Sequence, residues 1–428
     1  MTVRSRYPTG RPAARVAARP VALLALVAVA AAAQTETHEH EHERLAVDTS
    51  LTLSAVVDAT LSAYPTVAEL AARAAQAEAW SERANSWTAN RPILSFRYQT
   101  DRYDADAGLE EFETGIQLSL WKWGERDSTR LLGQAYGAET AAAAAAVRWE
   151  IAGALREIIW QMARAERELL LVEQTAGIAT RLGAAIRRRH ELGDVALGDV
   201  LLAETATLEV ETLLIAAEAQ LVDAERAYRM LTGLERRPEF RQETLSERTG
   251  ILAEHPALSF ASAEVDRARA ARERVRKSAV THPTLTVGPR RERGPGGEPF
   301  EESVGVVLTL PFGGGAHVRT SVTEAGRDVG SAESARARIL RELDLALHEA
   351  SHGLSVARKN LVTARQRSDL AERRYAMGES AYRKGELELI ELLALQRVAI
   401  DAERQVLDFE IGTSRQTALY NQAAGEMP

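Results

Sequence analysis

The sequence has no cysteine among its 428 residues. That absence excludes a disulfide framework, a thiolate zinc site, an iron–sulfur cluster and lipid attachment to an N-terminal cysteine. Aromatic side chains make up only 5%, and no interior run approaches the ~20 apolar residues of a membrane helix. Basic excess is also missing. With 53 Lys and Arg against 61 Asp and Glu the net charge is −8, which argues against a nucleic-acid-binding face. The 13 prolines are unevenly placed, with none between Pro92 and Pro238 and none between Pro311 and Pro428. Both gaps are rich in Ala, Glu, Arg and Leu. They read as very long helices, not as the two or three compact domains that the length would otherwise suggest.

Residues 1–20 carry Arg4, Arg6, Arg11, Arg15 and Arg19 and no acid, and an apolar run over 21–33 ends in Ala31-Ala32-Ala33. This is the pattern of a secretory signal peptide, too short for a membrane anchor. Its removal takes away five arginines and moves the formal charge from −8 to −13. The sequence thus predicts an exported protein, with a His- and Glu-rich flexible leader over 34–50.

The chain repeats itself. Tyr64-Pro65-Thr66-Val67 matches His255-Pro256-Ala257-Leu258 at an offset of 191, and Arg91-Pro92-Ile93-Leu94 matches His282-Pro283-Thr284-Leu285 at the same offset. Gln117-Leu118-Ser119-Leu120 matches Val307-Leu308-Thr309-Leu310 at 190. Gly193, Leu197, Asp199, Val200 and Leu201 match Gly385, Leu389, Glu391, Leu392 and Leu393 at 192, as Tyr228 and Gly233 match Tyr420 and Gly425. A near-constant offset across separated anchors marks a duplication, with repeat 1 over 51–235, a linker over 236–250 and repeat 2 over 251–428.

Each copy predicts the same elements. A helix (about 51–87, then 257–280) stops before a proline-led strand, and two strands follow, at about 92–100 and 112–120 and at about 283–288 and 303–310. A helix of about 65 residues comes next (125–192, then 317–384) and would be ~100 Å long. Tight turns at Gly193 and Gly385 lead into return helices that end at Gly233 and Gly425. The return helices carry an apolar residue every seventh position: Leu201, Leu208, Ile215 and Val222, then Leu393, Ile400 and Leu407. This is one seam of a coiled coil, and by itself it also suits a structural protein.

The strands separate these readings. Leu94, Phe96 and Tyr98 alternate with Ser95, Arg97 and Gln99; Thr114, Ile116, Leu118 and Leu120 alternate with Gly115, Gln117 and Ser119. Val304, Val306, Leu308 and Leu310 face away from Ser303, Gly305, Val307 and Thr309. Such period-two alternation suits a membrane β-barrel with a wet lumen, and Trp87, Trp121 and Trp123 would form its interfacial girdle. Four strands cannot close a barrel, since closed barrels start at about eight, so several chains must share one. The predicted class is mainly α with a shared membrane β-barrel.

On these residues the chain resembles the outer membrane efflux protein family, the TolC-like outer membrane factors. The resemblance runs from about Leu51 to Gly425 and is carried by the duplication, the strand pair before each long helix, and the turns Gly193 to Leu201 and Gly385 to Leu393. It implies a homotrimer pooling twelve strands in the outer membrane. A helical tunnel would cross the periplasm to an adaptor protein and an inner-membrane RND-type pump. Such a duct catalyses nothing and needs no cofactor. The resemblance also implies a gate near the helical turns, where Asp199, Tyr382 and Glu391 occupy matching places. A ring of carboxylates there would attract cations. Where the best-known member has an arginine two residues after the second-repeat glycine, this chain has Leu387, so an arginine lock at that place is not expected. For Asp199 a helix N-cap or first-turn role stands beside the gating one.

Cargo is read from two short segments. The run Trp121-Lys122-Trp123-Gly124-Glu125-Arg126 is similar to a signature of the cobalt–zinc–cadmium efflux subgroup. The leader offers His38, His40 and His42 alternating with glutamates, good donors for divalent zinc, cobalt or nickel. Drug or protein export remains the alternative within the class; a periplasmic coiled-coil adaptor is the alternative outside it. His348-Glu349-Ala350-Ser351-His352 is a formal H-E-x-x-H, but Glu372 would lie ~30 Å away along the same helix, so a zinc protease is not expected.

Overall fold

The computed structural model describes residues 44–278 and 281–428. Predicted features within 1–43, including the signal peptide and His38, His40 and His42, lie outside the described residues. The first strand, β1 (Ala46–Asp48), is followed by α1 (Leu53–Ala63) and α2 (Val67–Asn85). The single helix expected over 51–87 is therefore two. Pro65 cannot continue a helix and pushes Tyr64 to ψ 138°, and Thr52 caps α1 by accepting the Ala55 N–H at 3.2 Å.

Strands β2 (Ile93–Thr100) and β3 (Glu110–Ser119) lead into α3 (Glu125–Glu191) and its return helix α4 (Leu197–Thr232). A short strand β4 (Arg236–Pro238) precedes α5 (Pro256–Ser278), then come β5 (Thr284–Arg293), β6 (Glu301–Thr309), α6 (Gly315–Arg383) and α7 (Leu389–Ala423). Helices α3 and α6 have 67 and 69 residues, about 100 Å each. One stretch of α3 is long and apolar enough to cross a membrane by length and composition alone. In the chain this helix instead packs against α2, α4, α5 and α7.

The duplication organises the packing. Toward the strand end the helices lie in the row α2, α3, α5, α6; toward the far tip they lie in the row α4, α3, α7, α6. The core sits between, where Val56, Val57, Ile151, Leu155, Met162, Leu221 and Tyr228 are buried together. Tyr228 donates to the Arg236 carbonyl at 3.0 Å, and its repeat mate Tyr420 donates to the Arg248 carbonyl at 2.6 Å. Burial pushes the Tyr228 phenol up to about 12.

Residues 236–250, expected as a bare linker, are woven into this waist. β4 pairs in parallel with β1, so part of the leader expected to be flexible is a strand. Arg237 holds Glu166 through one nitrogen at 2.8 and 2.9 Å, and the buried Arg156 holds Glu243 bidentately at 2.8 Å. Neither strand has the alternation that marks the others, and three residues are too few to show a period.

The four long strands form one antiparallel sheet in the order β2-β3-β5-β6, in which β3 pairs with β5 and so joins the two repeats. Register puts Leu94 opposite Ile116, Leu118 opposite Leu285, and Leu285 opposite Leu308. Opposed residues share a face, so the apolar sets of all four strands lie on one side. Ser95, Gly115, Thr286 and Val307 fall on the other. β5 runs five residues beyond its predicted end because Arg290 and Arg293 reach Glu111 and Glu110 at 3.1 Å. Within the sheet Gly288 lies against β3, where an added Cβ would come within 1.7 Å of the Thr114 carbonyl oxygen.

Candidate functional site

The tip is built from two copies of one turn. Gly193 and Gly385 have φ of 81° and 78°, a left-handed conformation that glycine adopts without strain. Each is bracketed by the same bonds. The Gly193 and Asp194 amides donate to the His190 and Arg189 carbonyls at 2.9 Å; those of Gly385 and Glu386 donate to Tyr382 and Ala381 at 3.0 Å. These are the bonds that close a helix end and reverse the chain.

Tyr382 links the two turns. Its half-buried ring packs on a cluster of Ile186, Val200 and Ala203 from the first hairpin and Leu389 from the second. Its hydroxyl accepts from Arg189 at 3.2 Å, and the same guanidinium lies 5.6 Å from the ring centre. Burial pushes the phenol above its ordinary value; Arg189 pulls it down, and the charge of Asp199 pushes it up again. The structure thus brings Asp199 and Tyr382 into one electrostatic neighbourhood. Asp199 sits in the first turn of α4 and makes no side-chain cap, so its helical role is to offset the macrodipole. Glu391 forms a capping box with Glu388, accepting the Glu388 N–H at 3.3 Å. Arg189 was not singled out from sequence. Its place in a basic last turn, Arg188-Arg189-His190, was the available signal.

The strand end is fastened by the run at 121–126. The Trp121 indole N–H donates to the Ser86 carbonyl at 2.9 Å, while Trp87 and Trp123 stand 70% and 97% exposed. Gly124, at φ 73°, starts α3. The buried Glu125 accepts from His282 Nε2 at 2.7 Å, because Asn90 donates to Nδ1 at 3.3 Å and leaves the proton on Nε2. Arg126 donates to the Ala84 and Asn85 carbonyls at 2.7 and 3.1 Å, closing the end of α2. Trp121, Glu125 and Arg126 of this segment thus each hold a partner across the strand–helix junction. Lys122 is held below its ordinary value by burial, against the pull of Glu125.

His348, Glu349 and His352 are exposed on the wall of α6, and no group of three His or carboxylate side chains suited to a metal occurs among the described residues. The helix continues unbroken past Glu372, as expected, so this pair has no third ligand near it.

No protein-family profile and no curated protein matches this sequence. Solved structures do match. A membrane protein from Pseudomonas aeruginosa is similar with a TM-score of 0.70 at 18% identity, covering 90% of this chain and 98% of that one. The outer membrane protein VceC from Vibrio cholerae gives 0.69 at 15%, covering 87% and 96%. CusC, described in terms of transmembrane channel formation, gives 0.69 at 14%, covering 90% and 94%. The chain therefore has the fold of these membrane proteins over nearly its whole described length.

Proposed function

We propose that the chain is the outer membrane exit duct of a tripartite efflux system, a homotrimer that conducts passively and catalyses nothing. The observation that carries this reading is the sheet. Its apolar side chains share one face, and β2 and β6 end it with edges of 8 and 9 residues that no other described strand covers. Strands of that length, tilted, match the ~25 Å apolar band of an outer membrane barrel. Each unpaired backbone group in lipid costs several kcal/mol, so two bare edges would cost on the order of tens. Other copies must cover them. Four strands per chain require at least two copies, and the resemblance supplies three.

In this reading the helices form a periplasmic tunnel whose tip carries the gate residues Gly193, Asp199, Tyr382, Gly385 and Glu391. It would meet a periplasmic adaptor and, beyond it, an inner-membrane RND-type pump that supplies the energy. Trp87 and Trp123 meet outer membrane lipid, with Trp121 turned to the backbone beside them. Divalent heavy-metal cations are the proposed cargo, supported by the 121–126 run and by His38, His40 and His42. Heat-modifiable trimers in the outer membrane fraction test the duct; a soluble or inner-membrane monomer refutes it. Wild-type tolerance of zinc, cobalt and cadmium in a deletion strain would refute the cargo and leave the duct standing.

A further inference from the structure

We infer that the apolar side of the sheet, at its end away from the helices, holds a phosphate of the outer-leaflet lipid on Arg291 and Arg293. The inference rests on the outer membrane duct reading and adds a lipid site to it.

Register sorts the charged residues of this end onto two faces. Phe112 stands opposite both Tyr98 and Arg291, Glu110 opposite Arg293, and Arg291 opposite Glu302. These residues continue the rows of Leu94, Ile116, Val287 and Val306, and so share the apolar side. Arg97, Glu111, Glu113, Arg290 and Glu292 alternate with them and fall on the side that lines a barrel lumen.

Depth places the arginines among lipid headgroups. Trp121 and Phe112 are nine positions apart, ~30 Å at ~3.3 Å per residue. A strand tilt of ~40° brings that to ~23 Å along the membrane normal, against an apolar band of ~25 Å. The band that starts at Trp121 and Trp123 thus ends at a second aromatic group. There the Tyr98 and Phe112 ring centres are 4.8 Å apart, and those of Phe112 and Phe300 6.4 Å. Aromatic rings gather at the membrane interface, and Arg291 and Arg293 stand beside these.

The two faces treat their arginines differently. On the lumen side Arg290 reaches Glu111 at 3.1 Å and also pairs with Glu292, while Arg97 donates to Gln99 at 2.7 Å. On the lipid side the one carboxylate near Arg291 among the described residues is Glu302, at 4.0 Å, beyond hydrogen-bond reach. Arg293 gives one nitrogen to Glu110 at 3.1 Å. Both guanidiniums lie against the Phe300 ring, 4.4 and 5.0 Å from its centre. A ring contact leaves the N–H groups along the guanidinium edge free, and that planar fork matches two oxygens of a phosphate. Glu302 is 80% exposed, so water screens its charge from an anion bound there. In the duct reading this end of the sheet meets the outer leaflet, whose lipid carries phosphates on its sugar headgroup. Such a phosphate is the anion present at this depth and on this side.

The test uses full-length protein extracted from outer membranes into detergent and titrated with bis-phosphorylated lipid A in the same detergent. Arg291→Gln should weaken binding about tenfold, and Arg291→Lys, which keeps the charge but not the fork, about threefold. Arg291 makes no hydrogen bond among the described residues, so neither change removes one that folding uses. Arg290→Gln, its neighbour on the lumen side, should stay within about twofold of wild type. Equal loss from Arg290→Gln, no loss from Arg291→Gln with Arg293→Gln, or equal binding of dephosphorylated lipid A overturns the proposal. Complete displacement by millimolar inorganic phosphate assigns the site to the free anion and overturns it too. Any of these in a chain that resides in the outer membrane leaves the duct standing. A chain absent from that membrane refutes the duct and the lipid site together.

Discussion

Replacing Arg156 by methionine tests what holds the waist together. The guanidinium is 1% exposed and makes two parallel 2.8 Å bonds to Glu243, one of 2.5 Å to Gln422 Oε1 and one of 3.1 Å to the Glu426 carbonyl. One α3 side chain thus ties the inter-repeat segment to the end of α7. Methionine replaces much of the stem but leaves Glu243 with the Asn421 amide at 3.0 Å as its remaining stated partner. Stripping one member from a buried pair costs ~3–5 kcal/mol. Glu243 keeps 19% exposure, so water restores part of its solvation and a cost of ~2–3 kcal/mol is expected. At ~1.4 kcal/mol per factor of ten, the segment 239–248 should open about thirty- to a hundredfold more often. Amide hydrogen exchange on the full-length protein reads this directly. Adding Glu243→Met removes the stranded carboxylate and should bring exchange back to within about threefold of wild type. The reasoning fails if Arg156→Met alone leaves those amides within about threefold, or if the second change makes exchange faster still.

Glu139 gives a pH prediction of definite sign. Burial pushes its carboxyl up although Arg267 and Arg73 pull it down from 2.6 and 3.4 Å. A raised folded pKa means its contribution is full below the unfolded carboxylate range and is lost as pH rises through the folded value. Glu139→Gln should therefore melt at or above wild type near neutral pH and lose any advantage in acid; a lower melting point at neutral pH refutes this. If the proposed trimer forms, Gly288→Val should abolish it by forcing β5 off β3. Gly305→Ala, whose added Cβ finds nothing nearer than 3.9 Å, should be tolerated, and equal behaviour of the two would refute the close-approach argument. Arg189→Ala removes a bond and a ring contact worth together ~1–2 kcal/mol and, if the tip gates the proposed duct, should raise its open probability roughly tenfold at constant pH. An unchanged opening rate would show that Tyr382 is held by packing alone.

Much of the fold was legible because its signals are local. The period of two in the strands placed Leu94, Phe96 and Tyr98 on one face, and register confirmed that Ile116, Leu285 and Leu308 share it. The turn glycines were legible because a left-handed residue must sit where a long helix reverses. Pro65 carried a signal as plain as Pro92, and the two helices α1 and α2 stand where one was expected over 51–87 because Pro65 breaks the run. The small strands β1 and β4, the partners of Arg156 and the role of Arg189 were illegible for another reason. Each joins residues more than eighty positions apart, and nothing in either local pattern names its partner.

Sequence alone therefore determined a duplicated chain of long helices and amphipathic strands with too few strands to close a barrel. Periodicity, proline and glycine act within a few residues, and composition limits what chemistry remains. Tertiary structure decided what meets what. It turned the 121–126 run into the fastening of strand to helix, made Glu391 part of a helix cap, and brought Arg189 against Tyr382 at the tip. It also left Leu201 of α4 exposed while its repeat mate Leu393 packs on the tip cluster, which no reading of a repeat in isolation distinguishes. The physical reason is that side-chain chemistry is fixed by the residue, whereas its partner is fixed only when distant segments are packed together.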